Sequence, residues 1–192
     1  MIDIVVGYLS RSGPITIGVL GLLSLYLLIA VWTFVYRYLV LSRWLSRENE
    51  SLEQLHMGSA TVSSRSVLKS CLKKSLTSNE KLLQMCAHAS TKEATKGLTI
   101  LSLIASTSPF VGLFGTVVSI LEAFAGLGVQ KSATLSIVAP AISEALVATA
   151  AGIFVAIFAY TFHLLLRRRA YELTTTIEMQ IDLLLANRAD RK

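Results

Sequence analysis

Glu144 is the one charged residue in the run from Ile137 to Tyr160, and no basic residue in that run can pair with it. The run is long enough to cross a bilayer. A carboxylate at membrane depth costs about 3 kcal/mol on insertion scales, so such a group usually faces a cavity, a pore or a partner. Thr149 follows five residues later, and Thr116 lies in the preceding apolar stretch. With the turn between the two stretches centred near residue 131, equal rise per residue puts Thr116 level with residue 146. One carboxyl and two hydroxyls then share one membrane layer. Glu144 and Thr149 stand about 140° apart around a helix, so they share only a broad face. A carboxyl with hydroxyl neighbours and no counter-charge suits reversible protonation, and chains of such groups mark proton paths in membranes.

Each of these residues also has a plainer reading. A protonated Glu144 can act as a structural hydrogen-bond donor that locks helices together. Thr116 and Thr149 taken alone read as helix-contact residues. Glu122 is a possible second acid, but it falls near the outer surface, where interfacial water makes an acid cheap. His163 sits at the inner end of its span, where snorkelling accounts for it. Tyr160 fits an aromatic belt.

The elements that must position these groups follow from composition. The 192 residues are 53% apolar and 16% charged, with a net charge of +6. Mean hydropathy is +0.61. This is the balance of a membrane protein. The positive charge flanks apolar spans in the pattern that sets membrane orientation, which argues against nucleic acid as its target. The expected fold class is an all-α membrane protein. Three transmembrane helices with long helical cytoplasmic extensions would assemble as a ring.

Residues 1–14 form an outer N-terminus without the basic region of a cleaved signal. Residues 15–36 form the first span, with Pro14 placed where a helix start tolerates it. Residues 37–96 form a helical cytoplasmic domain with a joint near Gly58. There Thr77-Ser-Asn-Glu80 can start a fresh helix. The second span is 97–126, the link 127–136, the third span 137–166 and a helical tail 167–192. Pro109 cannot donate to the Ala105 carbonyl, and Ser106, Thr107 and Ser108 stand ready to satisfy it. Helix packing is expected at Gly112, Gly115, Pro109, Pro140, Ala145, Ala148 and Gly152, because small residues at every fourth position let helices approach closely.

Segment 37–96 carries ten Lys or Arg residues and the tail six, against one each in the N-terminus and the link. The positive-inside bias therefore places the N-terminus outside and the C-terminus in the cytoplasm. Cys71 and Cys86 are expected to pack as small apolar side chains. No metal-ligand cluster, nucleophile–base pair or phosphate-binding loop appears, so the chain reads as a non-enzyme without a cofactor. Three helices cannot enclose a polar centre and keep every lipid-facing side apolar. Self-association around the Glu144 face is therefore expected. A passive scaffold, whose membrane polar residues only fix packing, is the alternative from a different class.

Ala105-Ser-Thr-Ser-Pro-Phe-Val-Gly-Leu-Phe-Gly-Thr-Val-Val118 and Val138-Ala-Pro-Ala-Ile-Ser-Glu-Ala-Leu-Val-Ala-Thr-Ala-Ala-Gly152 occur in this order. Together they resemble the MotA/TolQ/ExbB proton-channel family. The three-span arrangement is similar to its ExbB and TolQ branches rather than to four-span MotA. The wording from Pro109 to Thr116 leans toward ExbB. The resemblance implies a homopentamer in the bacterial inner membrane, enclosing the helices of a single-span partner of the ExbD or TolR type. Proton flow through that partner's Asp would energise a TonB- or TolA-like protein. By the same resemblance Glu144 matches the family's membrane glutamate, and Thr116 and Thr149 its pore-facing threonines. The cytoplasmic segment is shorter than in many relatives, and Glu122 stands where relatives often carry a neutral or His side chain.

Overall fold

A computed structural model describes residues 13–57, 66, 80–127 and 135–189. Four helices account for nearly all of them: α1 (Pro14–His56), α2 (Glu80–Ala94), α3 (Leu98–Leu127) and α4 (Leu135–Ala189). No strand occurs among the described residues. Three helices are long and apolar enough to cross a membrane. The chain is a multi-pass all-α membrane protein.

Two of these helices outrun their spans. α1 has 43 residues and α4 has 55, where about 20 suffice to cross hydrocarbon. No glycine or proline lies between Leu22 and Met57, so nothing in the backbone stops α1 where its side chains turn polar at Arg37. The joint expected at Gly58 and the residues Thr77 to Asn79 lie outside the described residues, although α2 does begin at Glu80. Between α2 and α3, Gly97 adopts φ +85°. L side chains avoid that region, and glycine there ends helices.

One compact unit comprises the chain through Trp32 together with Ile100–Phe162. In it α3 runs antiparallel to α1 and to α4. Ser119 faces Thr16 with hydroxyl oxygens 2.9 Å apart. Val19 packs on Gly115. Ala145, Ala148, Val155 and Ala159 are buried on one face of α4. Gly112, Gly115 and Gly152 are buried as well, whereas Pro109 is half-buried and Pro140 is exposed. Only 22–28% of each apolar window is buried. Most of the apolar surface therefore points outward, as lipid or a neighbouring protein requires and water does not.

The second unit comprises Thr33–Thr99 and His163–Lys192. Its core is ordinary apolar packing: Leu41, Leu45 and Leu55 of α1, Leu83 of α2, and Leu166, Leu173 and Ile177 of α4 are each 9% exposed or less. Along the expected helical tail, Leu173, Ile177 and Ile181 are buried and Leu184 is half-buried. Arg37 is buried and donates from Nη2 to the carbonyls of Glu93 (2.5 Å) and Ala94 (3.0 Å). A guanidinium here meets the carbonyls left open at the end of α2 and the negative end of its dipole. Glu48, fully buried, accepts from Ser66 Oγ (2.7 Å) and Gln180 Nε2 (3.1 Å). Tyr38 lies under Arg169, with Cζ 5.6 Å from the ring centroid. The phenol oxygen accepts from the guanidinium and, with Glu172, holds its pKa above the usual arginine value. Cys86 is not a free thiol: it is disulfide-bonded, to a partner outside the described residues. Spacing along the chain carries no signal of which sulfurs meet in space, so the expectation of simple packing missed it.

Candidate functional site

Thr116 and Thr149 meet across the α3–α4 seam, and their hydroxyls are hydrogen-bonded to each other. Thr116 Oγ1 also lies 3.2 Å from the Gly112 carbonyl and 3.3 Å from that of Ala145. Thr149 Oγ1 lies 3.4 Å from the Gly112 carbonyl. Two hydroxyl protons thus face two carbonyls and each other's oxygens. Each hydroxyl is one donor that rotates among acceptors, so the pair can reverse the direction of its mutual hydrogen bond without moving the backbone.

Small residues make this meeting possible. A Cβ on Gly112 would come 2.7 Å from the Ala148 carbonyl oxygen, and one on Gly152 would come 2.6 Å from that of Ser108. Only glycine lets the backbones approach so closely. The observed register puts Thr116 opposite Thr149, three residues from the level expected from an even turn.

Glu144 is half-buried, and the threonine hydroxyls' contacts among the described residues do not include its carboxyl. The residue after it supplies the Ala145 carbonyl that faces Thr116. The structure therefore joins the two threonines directly. Glu144 lies about 140° around α4 from Thr149, on a different flank of the helix.

Glu122 is elsewhere. It is exposed, with Oε2 only 3.2 Å from where a Gly13 Cβ would stand, at the start of α1, where a helix dipole favours an anion. Tyr160 is 57% exposed. His163 does more than snorkel: its Nδ1 is 3.1 Å from the Leu98 carbonyl, and a carbonyl partner requires the proton on that nitrogen.

The three hydroxyls expected to satisfy the carbonyl freed by Pro109 do otherwise. Ser106 and Thr107 both donate to the Leu103 carbonyl, at 3.0 and 2.8 Å, and not to Ala105 as expected. Ser108 is fully buried, and its Oγ has no hydrogen-bond partner among the described residues. Pro109 signals the freed carbonyl, but not which hydroxyl would turn toward it. No group of three or more potential metal ligands occurs among the described residues.

Comparison with known proteins agrees with this architecture. The model of the MotA/TolQ/ExbB proton channel family matches residues 58–179, which include the threonine pair and Glu144. The chain belongs to that family. Over 185 residues it is 43% identical to a putative biopolymer transport protein, ExbB-like 1, of Helicobacter pylori, covering 96% of this chain and 98% of that one. It is 57% identical to the Tol-Pal system protein TolQ of Pseudomonas aeruginosa over 60 residues, 31% of this chain and 26% of that one. It is 45% identical to the biopolymer transport protein ExbB of Pseudomonas putida over 75 residues, 39% and 23% of the two chains.

Proposed function

We propose that this protein is the channel-forming stator subunit of an inner-membrane proton-driven motor. Copies of it, five by family resemblance, would surround the span of an ExbD/TolR-like partner and pass the energy of proton flow to a TonB-like protein. The observation that carries the reading is the hydrogen-bonded Thr116–Thr149 pair within the spans, with Thr116 also against the carbonyl of Ala145, the residue that follows a half-buried Glu144. Hydroxyls that can reverse their hydrogen bond, beside a group that can take and release a proton, are the minimal parts of a relay. The large outward apolar surface supports assembly, since three helices alone cannot shield a polar centre from lipid. The Lys and Arg counts support an N-out, C-in orientation. Similarity over nearly the full length to an ExbB-like protein favours the TonB-linked role over a TolQ-like one.

The deciding experiment replaces Glu144 in the full chain, co-expressed with its single-span partner. Proton flux into vesicles and energised outer-membrane uptake are then measured. Glu144→Gln keeps the hydrogen-bonding shape but cannot ionise, so it should abolish both while insertion and assembly persist. Normal flux and uptake in a well-expressed Glu144→Gln or Glu144→Ala variant would instead favour a passive scaffold.

A further inference from the structure

The apolar run of α4 ends at Leu166, and Arg167, Arg168 and Arg169 follow at once. Leu164 and Leu165, just before them, are exposed, and Tyr171, just after, is 71% exposed. Leu164, Arg167 and Tyr171 are neighbours on one helix face, at spacings of three and four residues. Within two turns that face passes from aliphatic to cationic to aromatic. The same order of layers is met at a membrane surface, where acyl chains give way to headgroups. A second helix marks the same level. Arg169 meets Tyr38 and Gln180 meets Glu48, pairs whose numbers differ by 131 and 132, so α1 and α4 run parallel here. Tyr36, also exposed, is then level with Arg167.

The three arginines are unequally engaged. Arg169 lies over Tyr38 and donates to Glu172 Oε2 (3.3 Å). Arg168 gives only its Nε to Glu172 Oε1 (3.1 Å), and its side chain is 81% exposed. Arg167 is exposed and has no ion pair among the described residues. One carboxylate thus serves two guanidiniums, and none faces the third. Arg167 and Arg168 keep outward N–H groups open at the level where the apolar run stops. A planar guanidinium offers paired N–H donors that match the oxygens of a phosphate.

We propose that Arg167 and Arg168 form a binding site for the phosphate headgroup of an anionic phospholipid. The acyl chains lie along Leu164 and Leu165, and Tyr171 borders the headgroup on its watery side. Glu172 holds Arg168 by one nitrogen and leaves the rest of its fork to the lipid. Because positive charge is in excess at this end of α4, a net-anionic headgroup is preferred to a zwitterionic one. The site needs only that α4 crosses a bilayer, and proton flow plays no part in it.

Lipid competition on the full chain tests this. The protein in detergent is offered equal amounts of phosphatidylglycerol and phosphatidylcholine, and the lipids it retains are counted by native mass spectrometry. Phosphatidylglycerol should be preferred about tenfold, from about fivefold for each arginine near a headgroup. Arg167→Gln with Arg168→Gln should bring the preference to within about twofold. Both side chains are exposed, so the helical circular dichroism should not change. Arg167→Lys with Arg168→Lys, which keeps the charge but not the fork, should retain a preference between those two values. Arg43 and Arg47 serve as the charge-matched control. They are exposed and lie about 10 and 16 Å further along α1 than Tyr36, beyond a Debye length of about 8 Å. Arg43→Gln with Arg47→Gln should therefore leave the preference intact. An unchanged preference in the Arg167 and Arg168 glutamine variant, or an equal fall in the Arg43 and Arg47 variant, overturns the site. Equal retention of the two lipids by the unaltered protein also overturns it and would leave these arginines to an acidic protein surface.

Discussion

Gly112 and Gly152 face each other across the α3–α4 seam so closely that a Cβ on either would meet backbone, 2.7 Å from the Ala148 oxygen or 2.6 Å from the Ser108 oxygen. Backbone cannot swing aside as a flexible side chain can. Gly152→Ala should therefore push the helices apart, destabilise the chain by about 1–3 kcal/mol and break the Thr116–Thr149 hydrogen bond. Gly18 and Gly21, where an added Cβ meets nothing within 4 Å, are the internal controls. Alanine there should be neutral or stabilising by up to about 1 kcal/mol, since it favours a helix over glycine. Unfolding in mixed detergent, followed by circular dichroism, checks the contrast. Equal stabilities for Gly152→Ala and Gly18→Ala would contradict the seam.

Arg37 joins α1 to the end of α2 through two carbonyls, those of Glu93 and Ala94. Arg37→Met preserves most of the stem's packing but removes the donors, at a cost of about 1.5–3 kcal/mol for hydrogen bonds from a charged group. Hydrogen exchange should locate the damage, with amides in the last turn of α2 losing protection before those of α4. Arg37→Lys should recover only part of the loss, because an ammonium lacks the planar fork that spans two neighbouring carbonyls.

That three helices are long and apolar enough to cross a membrane was legible in the sequence, because lipid enforces a simple rule, long apolar runs ended by basic residues. The register of Thr116 against Thr149 was legible to within three residues, because a short link between two helices leaves little freedom. The continuation of α1 through Arg37 to His56 fits the helical cytoplasmic extension expected up to a joint near Gly58. Hydropathy changes sharply at Arg37, but a helix ends only where glycine, proline or a cap ends it, and none is present. The role of Arg37, by contrast, was hidden. A basic residue just past a span reads as an orientation signal, and its carbonyl partners lie 56 and 57 positions away. The choice of Leu103 rather than Ala105 by Ser106 and Thr107 depends on rotamers, which composition does not encode.

Gly97 stands between α2 and α3 at φ +85°, with a Cβ position 3.2 Å from Thr33 Cγ2. Gly97→Ala meets both a disfavoured backbone and a tight contact, so a loss of about 1–2 kcal/mol is expected from the left-handed conformation alone. Gly97→Asn should be milder on the backbone side, because asparagine visits this region more readily. Denaturant titration of both variants checks the order. Gly97→Ala more stable than Gly97→Asn would show that the turn has relaxed to negative φ.

Glu48 has no exposed surface, yet its carboxyl draws together residues far apart in sequence: Ser66 Oγ at 2.7 Å and Gln180 Nε2 at 3.1 Å. Gln180 Nε2 keeps a second acceptor, the Glu48 backbone carbonyl at 2.8 Å, which survives any side-chain change at position 48. Ser66 Oγ donates to the carboxyl itself. Glu48→Ala removes that acceptor, whereas the glutamine amide keeps its backbone one. The cost of about 2–3 kcal/mol should reflect hydrogen bonds lost to a buried charged group. Ser66→Ala removes the serine donor, so combining the two should cost less than the separate losses predict, with a coupling of about 1–2 kcal/mol between residues in one hydrogen-bond network. The double-mutant cycle is read from denaturant unfolding. Strict additivity would mean that Ser66 is not held by Glu48 in solution.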